Sequence, residues 1–557
     1  MSTSTDSRYD VVIVGAGLAG LTLARHLLLY TDKTVLLLDK RENPPGPHQK
    51  VGESLVQLSG YYFSKVLDLE EYLLRNHYLK YNLRFHWPTQ GKQNKGLEDY
   101  SRSFIRLGSN LATFQLDRNH FEAHVLAVSK EHPRFRFLGG LQNVDAELNP
   151  QGEHKVTFAG SEVMCDWVVD CSGRGQFLKR KMSLAQPNNI RHGSTWCWVE
   201  GLVNLEKLTG RSWTEVRVNR DRMKQGNMPF FLSTNHFCAE GMWFWIIPLH
   251  GITSLGLVYD KAVLDSDRVS TARKMLEFVC EKWPIFQRDL PNRKVVDEGR
   301  YYDFSYDARQ TISAERWAMS GEAGRFSDPL YSPGSDLISI YNTLIVDAIQ
   351  SKPEDLKRKE ELYELTMRVM YSAYVPSYAM SYDCLGDRQA FTYKYGWELA
   401  IYFGFYVVPF INDLFADEQF LPHYLRKFGL LGPLNRNLQK FLSDFYRWRQ
   451  ANAAPETEVG MNDFYEMPWL RDSETLFYKV GLTREEVLDV LDMHFQNLRD
   501  FARWIVAQVY ATVLGNPEIG QDMAFREKIR VREVMFNPEK MRMEYLAMSA
   551  IAETVEV

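Results

Sequence analysis

The chain has 557 residues, 45% of them hydrophobic and 25% charged, with a formal net charge of −5. That length is too great for one core and predicts two or three subdomains. The charge excludes a general attraction to nucleic acid or to an anionic membrane.

Six cysteines, at 165, 171, 197, 238, 280 and 384, lack C-x-x-C spacing and read as reduced core thiols, with no metal site expected. The start, Met1 to Arg8, is short and polar and shows no signal peptide. The longest apolar stretch, Leu399 to Ile411, is too short to span a bilayer. A cytoplasmic protein is expected.

Val11 to Val14 is an unbroken apolar run, as in a strand buried on both faces of a parallel sheet. Gly15, Gly17 and Gly20 follow with the spacing G-x-G-x-x-G, and Leu18 to Tyr30 reads as a helix. The first glycine allows a tight turn, the second lets a pyrophosphate approach the backbone, and the third lets the helix pack on the strand. A second apolar run, Val35 to Leu38, ends in Asp39, 19 positions after Gly20, followed by Lys40. A carboxylate there suits ribose hydroxyls. The pattern predicts a dinucleotide site.

Asn43 to Gln49 is a proline-rich loop, followed by Gly52-Glu53-Ser54 and an apolar helical stretch from Leu55 to Arg75. Ser54 suits either a cofactor edge or a helix cap. Tyr78 to Trp87 alternates, and as one strand it places Lys80, Arg84 and His86 on a common face. Pro88 to Ser103 reads as a polar loop. Asp117 or Asn119 caps the next helix, where Arg118 could meet a cofactor phosphate.

Phe135 to Val169 suggests short strands ending in Asp170-Cys171-Ser172-Gly173. Thr195 to Asp260 predicts a separate antiparallel sheet, and Arg268 to Trp283 a helix. A short strand, Arg316 to Ser320, runs into Gly321-Glu322. From Ile338 onward the pattern is helical, with breaks near Pro409, Pro433 and Pro455. No second dinucleotide fingerprint follows, so no nicotinamide domain is expected. The fold class is α/β: a Rossmann-type dinucleotide domain (1–185 with 290–350), a β-sheet substrate domain (186–289) and a helical C-terminal region (351–557).

The glycine fingerprint with Asp39, the Asp170–Gly173 segment and Gly321-Glu322 resemble the FAD-binding class that includes the aromatic hydroxylases. Trp243 to Pro248 (WFWIIP) matches W-x-W-x-I-P, a signature of flavin-dependent halogenases. Phe326 to Gly334 (FSDPLYSPG) matches that family's F-x-x-P-x-x-S-x-G, and Lys80 falls where the family carries its essential lysine.

The resemblance implies FAD held by Gly15, Gly17, Gly20, Asp39, Lys40, Glu53, Ser54, Arg118, Gly173, Gly321, Glu322, Pro329 and Gly334. It implies a catalytic Lys80, and a substrate and halide pocket made by Trp243, Trp245, Ser332, Gly334 and Ser335, with the two indoles walling flavin from substrate. Reduced FAD would come from a separate reductase. Oxygen and halide would give hypohalous acid, and Lys80 would pass the electrophile to a small aromatic, phenol- or pyrrole-like, free or carrier-tethered.

Departures temper this. Glu322 replaces the family's aspartate. Tyr331 stands where tryptophan halogenases have glutamate. Pro333 has no N–H for the halide, leaving Gly334 and Ser335 as donors. A flavin monooxygenase that uses no halide is therefore the alternative, and a non-catalytic flavin-binding scaffold a third reading.

Overall fold

The computed structural model describes residues 8–105, 111–212, 214–215, 229–454, 456–471 and 479–555, so the break expected at Pro455 lies outside the described residues. The apolar runs Val11–Ile13 and Val35–Leu38 are fully buried, because both faces of their sheet are covered. Strand Arg8–Val14 pairs in parallel with Val35–Leu38 on one side and Ser161–Asp170 on the other. Phe135–Leu138 extends the sheet in parallel at one end, and on the other side Trp317–Met319 pairs in parallel with Ser161–Asp170 and carries Ile312–Ser313 antiparallel at the edge. Helices Leu18–Tyr30 and Pro333–Gln350 pack against one another beside it. This is the arrangement in which the strand ends open onto a nucleotide crevice.

The second sheet orders Val295–Tyr301, His192–Glu200, Ile252–Asp260, Met242–Pro248, Ser233–Ala239, Asn82–Pro88, Tyr100–Phe104 and Met461–Asp463. It is wider than the 186–289 stretch expected, because segments from three other parts of the chain complete it. Tyr100–Phe104 is a strand where a polar loop was expected. Its Ser101, Arg102 and Ser103 are buried polar residues, so no alternation of hydropathy marks it.

Tyr78 to Trp87 is two strands, not one. Tyr78–Lys80 pairs with Thr113–Gln115, whereas Asn82–Pro88 pairs with Ser233–Ala239. At the break, the Tyr81 N–H donates to Leu232 O (2.8 Å). Lys80 therefore parts company with Arg84 and His86. Arg84 lies over the Phe104 and Phe230 rings and donates to Ser233 Oγ (3.1 Å), and His86 pairs with Asn235 Oδ1 (3.0 Å).

Leu55 to Arg75 divides into helix Gln57–Tyr61, a wide turn Tyr62–Val66 and helix Glu70–Asn76. The long helices that follow the dinucleotide domain are Leu356–Ala379, Arg388–Tyr402, Leu421–Asn452 and Arg484–Leu514. Pro433 does not break Leu421–Asn452 as expected. It sits on the exposed side with Gly429 four residues earlier, where water can take the carbonyl that loses its N–H partner. The helices bury Trp397, Tyr424 and Phe501 in the same apolar cluster as Val11 and Ile13, so they continue the first domain's core.

Candidate active site

Local backbone geometry explains the glycine loop. Gly15 has φ +115°, and a Cβ there would lie 2.3 Å from the Cys171 carbonyl oxygen. At Gly20 a Cβ would lie 2.0 Å from the Gly15 carbonyl oxygen. Gly17 differs: nothing stands within 4 Å of where its Cβ would be. It opens helix Leu18–Tyr30 and borders a cavity of about 300 Å³.

That cavity gathers segments distant in sequence. Its walls include Gly17, Gly52, Glu53, Ser54, Arg118, Gly173, Gly321, Glu322 and Pro329. Trp243, Trp245, Ser332, Gly334 and Ser335 border it too. Glu53 Oε1 accepts from the Trp198 indole N–H (2.8 Å), and burial pushes its carboxyl up to about 7. Burial also raises Glu322, against the opposing pull of Arg174, Arg118 and Lys179. Arg118 donates to Val51 O (2.8 Å) and pairs with Glu122.

Four expected cofactor residues do not line this cavity: Gly15 and Gly20, which are packed against backbone, and Asp39 and Lys40. Asp39 is turned to its own loop: Oδ1 accepts from Arg41 Nε (2.9 Å) and Oδ2 from the Ala16 N–H (2.6 Å). The ribose contact expected of it would require Arg41 to release those oxygens. Lys40 is exposed and lies outside the cavity wall, because the chain turns outward after the buried strand.

A second cavity, of about 270 Å³, lies beyond Ser54. It is walled by Lys80, Tyr331 and Asp336 on one side. Tyr374, Tyr395, Glu398, Tyr402 and Tyr406 from the C-terminal helices form the other. Lys80 is 5% exposed, not the surface lysine that a single lysine usually is, and its Nζ donates to Ser54 Oγ (2.9 Å). Ser54 also pairs with Thr234 Oγ1 (3.0 Å), so the reading of it as a helix cap fails. Burial lowers the Lys80 ammonium to about 7, while nearby Asp336 favours its charged form. Asp336 is itself pushed up to about 6 by burial.

The partition between the cavities corrects one expectation. Trp243 and Trp245 border only the first cavity, their rings 5.7 Å apart. They are not the wall facing Lys80, and the cavity they share with Ser332, Gly334 and Ser335 is not the one that Lys80 enters. The wall is Ser54 with the first turn of helix Pro333–Gln350. Ser332, Gly334 and Ser335 face one cavity, and Tyr331 and Asp336 the other. Tyr331 and Ser332 adopt φ +71° and +62°, which turns the chain sharply into the helix. Pro333 takes the first helical position, where its missing N–H costs no helix bond. Trp243 is instead tied through its indole N–H to Tyr382 (2.6 Å), beside the His192–Asp328 pair (2.6 Å).

Asp336 and Glu398 were missed from sequence. An acid in a helix's first turn reads as an ordinary dipole partner, and Glu398 is one acid in an aromatic helix. Among the described residues no group of three His, Cys, Asp or Glu could hold a metal ion, and no helix is long and apolar enough to cross a membrane.

Residues 13–65 match the NAD(P)-binding Rossmann-like domain. The chain is 24% identical over 459 residues to the flavin-dependent halogenase chlA of Dictyostelium discoideum, covering 76% of this chain and 74% of that one. The chain resembles the flavin-dependent halogenases. It is also 25% identical to the tetracycline 7-halogenase of Kitasatospora aureofaciens, over 61% of this chain and 63% of that one. Among solved structures, the halogenase PltM in complex with phloroglucinol and FAD superposes with a TM-score of 0.60 at 18% identity. That match covers 86% of this chain and 98% of the other, and it shows the same fold.

Proposed function

We propose that this chain is an FAD-dependent halogenase of electron-rich aromatics that receives reduced FAD from a separate reductase. The observation that carries the reading is Lys80. Its side chain enters one cavity while its Nζ bonds Ser54, which borders the other.

The dinucleotide cavity fits FAD. Gly17 leaves its approach open, the N-terminus of helix Leu18–Tyr30 would hold the phosphates, and Gly173, Gly321 and Glu322 line the continuation. Reduced FAD, when bound, supplies with oxygen the oxidant that turns halide into hypohalous acid. The backbone N–H groups of Gly334 and Ser335, at a helix N-terminus, are the donors for the halide. Lys80 would hold the hypohalous acid by a hydrogen bond from its ammonium, or its neutral amine would take the halogen as a haloamine while the O–halogen bond breaks and water leaves, and either form is aimed at the aromatic in the second cavity. Burial brings both protonation states within reach near neutral pH. Trp243 and Trp245 shape the flavin cavity and exclude water from it. A cytoplasmic setting is part of this reading.

The test is product mass from reduced FAD, oxygen, bromide and a panel of phenols and pyrroles. Incorporated bromine supports the reading. Hydroxylated product independent of halide supports the monooxygenase reading, which the missing Pro333 N–H favours.

A further inference from the structure

The turn that leads to the proposed halide donors is strained. Tyr331 and Ser332 stand side by side at φ +71° and +62°, a left-handed backbone that glycine alone adopts without cost. Such residues persist only where their surroundings fix them. Here two hydroxyls from the C-terminal region do so. Tyr378, in the last turn of helix Leu356–Ala379, donates to the Leu330 carbonyl (3.1 Å). Tyr382, four residues on, donates to Asp328 Oδ2 (3.4 Å). The other oxygen of that carboxylate takes the Leu330 N–H (2.9 Å). Both polar backbone groups of Leu330 are thus tied immediately ahead of the strained pair. Asp328, Leu330, Tyr378 and Tyr382 are all buried, where such bonds are strongest.

The Tyr382 hydroxyl also reaches a second wall of the first cavity. It accepts the Trp243 indole N–H (2.6 Å), and its ring stacks on His192 at 4.0 Å, whose Nδ1 pairs with Asp328 Oδ2 (2.6 Å). An indole only donates and a carboxylate only accepts. The order is therefore fixed: Trp243 gives to Tyr382, and Tyr382 and His192 give to Asp328. Trp243 lies on one wall of the cavity, and Ser332, Gly334 and Ser335 lie on another. One hydroxyl joins the two, although neither Tyr378 nor Tyr382 is among the walls.

Resting on the halogenase reading above, we infer that Tyr378 and Tyr382 are positioning residues for the halide. They hold the strained turn, aim the Gly334 and Ser335 N–H groups into the cavity, and set the gap between those donors and the Trp243 indole. The C-terminal region acts on the first cavity from behind as well as walling the second, so a foreign C-terminal segment would have to supply both hydroxyls.

The test compares Tyr378→Phe, Tyr382→Phe and the double variant with Tyr424→Phe, all in the full chain. Tyr424 is equally buried and donates to the Phe405 carbonyl (2.9 Å) within the C-terminal helices, so it reports the loss of a buried tyrosine bond alone. Flavin content and oxygen consumption with reduced FAD should stay near wild type in all four. The bromide concentration for half-maximal product should rise about five- to tenfold in each single variant at the turn, the worth of one hydrogen bond. It should rise further in the double variant, with hydrogen peroxide replacing the lost product. Tyr424→Phe should lower the melting temperature and leave the bromide curve in place. Ser332→Gly, which relieves one left-handed residue, should shrink the effect of Tyr378→Phe. Asp328→Asn removes the acceptor by a separate route and should shift the bromide curve likewise, should a tyrosine variant fail to fold. Amide exchange across residues 326–341, read by mass spectrometry without turnover, should quicken in the variants at the turn and not in Tyr424→Phe.

An unmoved bromide curve in the double variant, an equal shift in Tyr424→Phe, or unchanged exchange across the turn overturns this inference and spares the halogenase reading. No bromination by the wild-type chain, with exchange still quickened by the variants at the turn, overturns the halogenase reading and leaves the tyrosines as holders of the turn.

Discussion

Lys80 Nζ donates to Ser54 Oγ at 2.9 Å, and this bond joins a lysine that enters one cavity to a serine that borders another. Every group expected to hold FAD is contributed by other residues. Lys80→Ala should therefore leave flavin content and oxygen consumption near wild type while product falls by about 10³-fold or more, the cost of losing a positioned reactive group. Hypohalous acid or hydrogen peroxide should accumulate instead. Product mass, peroxide and bound flavin measured together check this, and wild-type product from the variant would refute the role.

The pH dependence follows from burial. The folded Lys80 titrates at about 7, against 10.5 when solvated. If its amine carries the halogen, product formation should rise with pH through about 7 and level off above, and that rise should vanish in Lys80→Ala. The same shift bears on stability. Between about 7 and 10.5 the unfolded chain holds a proton that the folded chain has released, so this residue's contribution improves as pH rises through that window. Below about 7 the full cost of a buried ammonium is present. Lys80→Met should accordingly raise the melting temperature more at about pH 6 than at about pH 9.

Two glycines separate folding from cofactor binding. Gly15→Ala drives a Cβ into the Cys171 carbonyl at a positive φ and should destabilise the chain by about 2 kcal/mol or more. Gly17→Asp meets open space in the chain itself, so folding should survive while a carboxylate occupies the pyrophosphate approach. Circular dichroism and flavin absorbance distinguish the two. Full flavin content in Gly17→Asp would refute the dinucleotide assignment.

Pro333 tests the halide donors. Pro333→Ser adds an N–H at the first helical position without costing the helix a bond. A charge-assisted hydrogen bond of about 1.5–3 kcal/mol corresponds to about tenfold or more in halide affinity. Bromide titrations of product rate should shift by that factor. An unchanged curve means that the anion sits elsewhere.

Reduction offers a further check. With no second dinucleotide fold evident in the sequence, NADH or NADPH alone should leave bound flavin oxidised in stopped-flow mixing. Rapid bleaching at physiological nicotinamide concentrations would contradict the need for a reductase.

The dinucleotide half was legible from sequence because its signals are local: an apolar run, three glycines at fixed spacing and a second run. Lys80 was found through a resemblance, yet its face was misjudged. Alternation continues smoothly through Tyr81, and only the pairing partners of the two halves, distant in sequence, reveal the break. Tyr100–Phe104 was missed because a strand filled with buried serines and an arginine carries no hydrophobic rhythm. Asp39 was expected to meet a ribose at the end of its strand, and nothing in spacing foretold that Arg41 would occupy it. The second cavity could not be read at all. Its walls come from helices whose aromatic residues look like plain core until folding leaves a gap between them.

The way the C-terminal helices share one core with the dinucleotide sheet has a further consequence. One cavity is walled entirely by residues before Gln350, whereas the cavity that Lys80 enters takes one of its walls from the helices after it, and the two adjoin at the turn Tyr331–Asp336. Exchange of the segment after Gln350 between relatives could thus transplant a preference for one aromatic over another and keep the halogenating apparatus whole. The graft succeeds only where the incoming helices also match the apolar surface of the host's own Pro333–Gln350 helix, so inheritance of taste is limited by compatibility of packing.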